Sequence, residues 1–94
     1  MANPVAVTCE PAPGGWLCRV VVGGPGAPTT HDVTVSAADL ERLAPGAADP
    51  EDLVARSFAF LLAREPNTSI LRRFELPEIG HSFPEYEREI HRPG

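Results

Sequence analysis

Apolar and polar residues alternate with a period of two over three stretches near the start of the chain. Val5, Val7 and Cys9 alternate with Ala6 and Thr8. Trp16, Cys18, Val20 and Val22 alternate with Leu17, Arg19 and Val21, and His31, Val33 and Val35 with Asp32 and Thr34. A strand turns successive side chains to opposite faces, so this rhythm, rich in β-branched residues, predicts three strands. The breaks Pro11-Ala12-Pro13-Gly14-Gly15 and Gly23-Gly24-Pro25-Gly26-Ala27-Pro28 are short enough for hairpin connections. An antiparallel meander is therefore the economical reading. The middle strand is apolar on both faces apart from Arg19, which suits a central position. Its Trp16, Cys18, Val20, Val22 face is expected to pack on helices. Leu17 and Val21 on the other face point to a second contact surface, such as a dimer interface.

After Ser36 the rhythm changes. Ser36 is placed to cap a short helix, with Asp39 three residues on and Leu40 and Leu43 on one face. Pro45-Gly46 ends it. Asp49 caps the main helix, Pro50 suits its first position, and Glu51 and Asp52 lie where the helix dipole favours negative charge. Val54, Phe58, Leu61 and Leu62 follow at i, i+4, i+7 and i+8, widened by Leu53 and Phe60, so this helix organises the core. Pro66 stops it, which predicts a helix from Pro50 to Glu65. Thr68 or Ser69 then caps a turn or two containing Ile70, Leu71 and Phe74. Pro77 opens another turn through Ile79 toward Phe83. Pro84 starts a last helix, Glu85 to Ile90, with Phe83, Tyr86 and Ile90 near one face. The tail from His91 is expected to fray.

Strands that precede helices in this segregated order predict an α+β domain over residues 1–94. It comprises a three-stranded antiparallel meander (about 4–36) followed by three to four helices (about 37–90) packed on one face.

The net charge of −5 opposes long-range attraction to nucleic acid or an anionic membrane. No stretch reaches the ~18 apolar residues of a membrane span. Met1-Ala2-Asn3-Pro4-Val5 lacks the charged and apolar regions of a signal peptide, so the expected location is the cytoplasm. All eight basic residues are Arg, with no Lys and no Gln, the mark of a GC-rich genome, which fits an expected high-GC bacterium. In a reducing cytosol Cys9 and Cys18 are expected as free thiols; a cross-strand disulfide is geometrically open to them if they pair directly.

Motifs for chemistry are missing. Cys9, Cys18 and His31 lack metal-ligand spacing, and no metal or cofactor site is expected. His31, His81 and His91 have no diagnostic ligand or acid partner and are expected on the surface; an enzyme reading would need a composite site such as His81 with a carboxylate. The glycine runs match neither a dinucleotide-binding nor a Walker pattern, and no serine sits in a nucleophile elbow. Arg56, Arg64, Arg72 and Arg73 form the basic cluster, suited to phosphate or carboxylate contact. Glu85, Glu87 and Glu89 offer it partners within the chain, and salt bridging is the favoured reading.

Arg56-Ser57-Phe58-Ala59-Phe60-Leu61-Leu62-Ala63-Arg64-Glu65-Pro66, with Ser69-Ile70-Leu71-Arg72-Arg73-Phe74 and Phe83-Pro84-Glu85-Tyr86-Glu87, resembles a family of short uncharacterised bacterial proteins. That resemblance covers the C-terminal half and implies no activity and no site residues. In architecture, a small antiparallel sheet ahead of a helix is similar to HicB-like antitoxins, which resemble a partial RNase H-like unit and bind a small toxin. This chain lacks their Pro-Gly-Cys-type turn.

The leading expectation is a cytoplasmic, non-enzymatic interaction domain whose partner is itself or another protein. The alternatives are a nucleic-acid or phosphate-ligand binder through Arg56, Arg64, Arg72 and Arg73, and an antitoxin-like partner of a small toxin.

Overall fold

A computed structural model describes residues 4–23, 26–46 and 49–90. The three predicted strands are β1 (Val5–Ala12), β2 (Gly15–Val22) and β3 (Thr29–Ser36), joined as an antiparallel meander. The first hairpin loop is tighter than the proline and glycine run suggested, because pairing continues to Ala12↔Gly15. Gly14 turns the chain at φ +79, a left-handed backbone that costs glycine little. Gly15 is needed for a different reason: a Cβ there would fall 2.1 Å from the Val35 carbonyl oxygen.

The expected trio of strands is corrected to a sheet of four in the order β1-β2-β3-β4. The segment read as a helical turn around Ile70 and Phe74 is a 3₁₀ turn (Asn67–Ser69) followed by β4 (Arg73–Glu75), which pairs parallel to β3. Asp32 N–H donates to the Arg72 carbonyl (2.7 Å) and Leu76 N–H to the Thr34 carbonyl (3.0 Å), closing the ends of this short ladder. The helix loses to the strand here because β3 would otherwise present an unpaired row of backbone groups next to the core.

Between β3 and β4 run α1 (Ala37–Leu43) and α2 (Pro50–Leu62); α3 (Glu78–Ser82) and α4 (Tyr86–Ile90) follow. Both predicted caps form: Ser36 Oγ accepts from Asp39 N–H (3.0 Å), and Asp49 Oδ1 from Glu51 N–H (2.9 Å). α2 ends three residues before the predicted Glu65. The N–H groups of Arg64 and Glu65 both return to the Leu61 carbonyl, so the last turn tightens ahead of Pro66.

Burial along the strands alternates as the period of two requires. Cys18, Val20, Val22, Val33 and Val35 are fully buried beneath the helices, with Phe58, Leu53, Leu76 and Tyr86 from the opposite layer. The other face of the sheet is open. There Leu17 and Val21 are 43% and 40% exposed, and Arg19, Asp32 and Arg73 lie in one row across three strands.

Both edges of the sheet are plugged. The Gly23 N–H reaches the Pro4 carbonyl, so the even residues of β1 face β2 and the odd ones turn outward. Of these, Pro11 has no N–H, and Cys9 donates to Glu51 Oε2 in the first turn of α2 (3.1 Å). On the opposite edge, Glu75 N–H donates to Glu78 Oε2 at the start of α3 (2.8 Å).

The free-thiol expectation is overturned. Cys9 and Cys18 are rung partners across β1 and β2 and form a disulfide. Direct pairing on the inner face is what brings the two sulfurs together. Among the described residues no helix is long and apolar enough to cross a membrane. His91 and the rest of the tail lie outside the described residues.

Candidate functional site

Ionisable and hydroxyl side chains inside a fold are the first place to look for chemistry, and in this molecule they are committed to one another. His31, expected on the surface, is fully buried. The period of two places it on the inner face of β3, against the Phe58 ring at 5.3 Å between centroids. Its Nδ1–H donates to the Leu71 carbonyl (2.7 Å), which can only accept, and its Nε2 meets Thr29 Oγ1 (2.9 Å). Asn67 Nδ2 donates to the same Thr29 oxygen (3.0 Å). The chain Asn67 to Thr29 to His31 to Leu71 thus ties the segment that crosses from α2 to β4 onto the sheet, and a neutral imidazole satisfies every member of it.

A second chain ties the end of the protein to α2. Ser57 Oγ donates to the Leu53 carbonyl (2.8 Å), so the Tyr86 hydroxyl donates to Ser57 Oγ (2.7 Å). Burial pushes the Tyr86 phenol up to about 12. Among the described residues no buried side-chain nitrogen or oxygen lacks a partner. Nor do any three His, Cys, Asp or Glu side chains among them gather where they could hold a metal ion. His81 is exposed on α3.

The four arginines of the predicted cluster divide into two places. Arg56 on α2 and Arg64, two residues past its end, flank a shallow groove of about 360 Å³ over Ala59 and Ala63. Arg64 is heavily engaged. It pairs with Glu85 (3.3 Å) and Glu89 (3.1 Å), donates to the Phe60 carbonyl (3.0 Å) and lies 3.6 Å over the Phe60 ring. Hydrogen bonding from its own backbone, and then from Arg64, holds the Glu85 carboxyl below its ordinary value. Arg56 pairs with Asp52 one turn back (3.6 Å) and donates to the Ile90 carbonyl. Arg73 lies on the open sheet face, 85% exposed, 3.9 Å from Asp32, and Arg72 is exposed on the neighbouring segment. The tail carboxylates thus take up Arg64, and Arg72 and Arg73 lie apart from Arg56 and Arg64.

A different feature stands open. Where Pro66 stops α2 and the crossing segment bends to β4, the elements leave a groove of about 310 Å³ closed on its far side by α3. Its floor is the margin of the core: Leu61, Ile70, Phe74 and Ile79, each buried. Phe83 forms one wall, edge-on to Phe60. Leu71, 62% exposed, is the most exposed large hydrophobic side chain among the described residues and continues the surface outward. The polar part of the lining is Ser69, Ser82 and two carboxylates, Glu65 and Glu78. Sequence reasoning missed this groove. The signal it had was a pair of glutamates at proline boundaries, Glu65-Pro66 and Pro77-Glu78, flanking an apolar segment.

Arg42 serves as a brace between helices. It pairs with Glu87 on α4 (2.8 Å) and with Asp39 on its own helix (3.3 Å), and the hydrogen bond to Glu87 raises its already high pKa.

No family model, no curated protein and no solved structure matches this chain.

Proposed function

We propose that this chain is a non-enzymatic interaction domain that works by holding a protein partner. The observation that carries the reading is a contrast within the molecule. The imidazole of His31 and the hydroxyls of Ser57 and Tyr86 are spent on internal tethers, whereas apolar surface stands open at the groove beside Leu71 and on the sheet face at Leu17 and Val21. Apolar surface rimmed by polar groups is the usual material of a protein contact.

Native mass spectrometry of the protein gently purified from its own host tests this. A dimer or a stoichiometric second protein is the expected result. A bare monomer with an added small mass would overturn the reading and reopen an enzymatic one. With thiols alkylated before lysis, the same spectrum reports the redox state in the cell: unalkylated cysteines mark the Cys9–Cys18 bond, which persists in oxidising surroundings, whereas a reducing cytoplasm would hold two thiols across the same rung.

A second reading, anion binding, rests on Arg56 and Arg64 facing one groove. It predicts salt-dependent binding of a single-stranded oligonucleotide. A flat titration at low salt disposes of it.

A further inference from the structure

We infer that the groove between α2, β4 and α3 takes a partner segment in which a large apolar side chain stands next to Arg or Lys. This deepens the interaction reading and rests on it.

The size comes first. About 310 Å³ is at the lower end of ligand sites and accommodates one or two large apolar side chains. The floor of Leu61, Ile70, Phe74 and Ile79 offers such a side chain nothing but apolar contact. Leu71 extends that surface beyond the groove, as a chain continuing past its anchor residue requires.

The charge selects the neighbours of the anchor. Glu65 and Glu78 both line the groove, and among the described residues neither has a cationic partner. Glu78 does accept the Glu75 N–H, which fixes its carboxylate in place without neutralising it. By contrast Glu85, Glu87 and Glu89 are each matched to an arginine of the same chain. Two carboxylates without an arginine partner among the described residues therefore stand where the apolar surface is also open. A cation docked beside the anchor would gain from both carboxylates, and the net charge of −5 draws a basic partner from a distance. At this groove a second copy of this chain, carrying the same net charge, is disfavoured, and so is an anionic membrane.

The test uses two blocked tetrapeptides on the full-length, isotopically labelled protein, Arg-Leu-Phe-Arg and Glu-Leu-Phe-Glu, followed by two-dimensional NMR at millimolar concentration. The expected result is that the arginine peptide shifts the amides of Leu71, Phe74, Ile79 and Phe83, and that the glutamate peptide does not. Glu65→Gln together with Glu78→Gln is expected to weaken the arginine peptide by about tenfold, with added salt doing the same. Glutamine keeps an oxygen for the Glu75 N–H, and an otherwise unchanged spectrum shows the variant is folded. Equal binding of the two peptides, shifts confined to the open sheet face, or silence from both would overturn the inference. If a stoichiometric protein partner is still found in the native complex, the interaction reading survives that outcome; if none is found, both fall.

Discussion

The β1–β2 hairpin and the segment from Asn67 to Leu76 both contribute to one sheet, by opposite means. The hairpin is eight rungs long, closed by a tight glycine turn and stapled by Cys9–Cys18. Its pairing, its turn and its staple are all local in sequence. The return segment supplies three rungs of parallel pairing, a less stable arrangement per residue, and its place is set by the buried chain through Thr29 and His31, 38 and 40 residues away in sequence. A local element can lose one tie and keep its shape. An element defined by distant contacts depends on each of them.

The sharpest way to break that contrast is His31→Ala. It removes a buried ring, leaves the Leu71 carbonyl without its donor and frees the link to Thr29. We expect a loss of about 3–4 kcal/mol, read from urea unfolding followed by Trp16 fluorescence. Hydrogen exchange should speed up at Leu71 to Leu76 first, with β1 and β2 still protected. Uniform acceleration over the whole sheet would show that the return segment is no more dependent than the hairpin.

Removing the staple comes next. Cys9→Ser with Cys18→Ser opens a loop with a sequence separation of only 9, so the expected cost is about 2–3 kcal/mol. The hairpin amides should stay protected, because the rungs remain. Loss of the hairpin's cross-strand contacts in the variant would contradict the local account.

The other distant tether, Tyr86 to Ser57, gives a test by pH. Its folded pKa of about 12 lies above the ordinary value of 10.0, so the unfolded chain loses the proton first. Stability is fully present below pH 10.0 and falls as pH rises through about 12, by on the order of 2 kcal/mol. Tyr86 is the single tyrosine, so tyrosinate absorbance follows it alone, and Tyr86→Phe should abolish the alkaline slope. The smallest effect belongs to the open face. Arg73→Ala removes an exposed pair at 3.9 Å and should change stability by less than about 0.5 kcal/mol.

The same contrast explains what could be read from the amino acids. The three long strands, the caps at Ser36 and Asp49 and the core face of α2 follow from patterns a few residues long, and the structure contains them. β4 does not follow, because Arg73-Phe74-Glu75 carries too few residues for a period to register; it is a strand only because β3 offers it an edge. His31 was misplaced for a related reason. Its alternation with Val33 and Val35 put it on the inner face, and only the partners at Thr29 and Leu71 make burial of an imidazole affordable. The disulfide was legible as a condition on register, and the register met it. For the candidate site, the arginines stood out by type while their neutralising carboxylates arrive from α4. The groove was hidden because its parts, Glu65, Leu71, Phe74 and Glu78, are ordinary residues until the chain turns at Pro66 and Pro77.

The two glutamates that reach the sheet margins have a consequence for the protein at high concentration. Growth of a fibre needs a strand whose outward N–H groups are free to receive the next molecule. At one margin that row is broken by Glu51 on Cys9 and by Pro11; at the other, three residues long, it is broken by Glu78 on Glu75. Both glutamates act from the first turn of a helix that must already be packed. Apart from Pro11, the guard against stacking into filaments is therefore complete only once the helices have docked, and a chain whose hairpin forms before α2 arrives leaves the Cys9 N–H open.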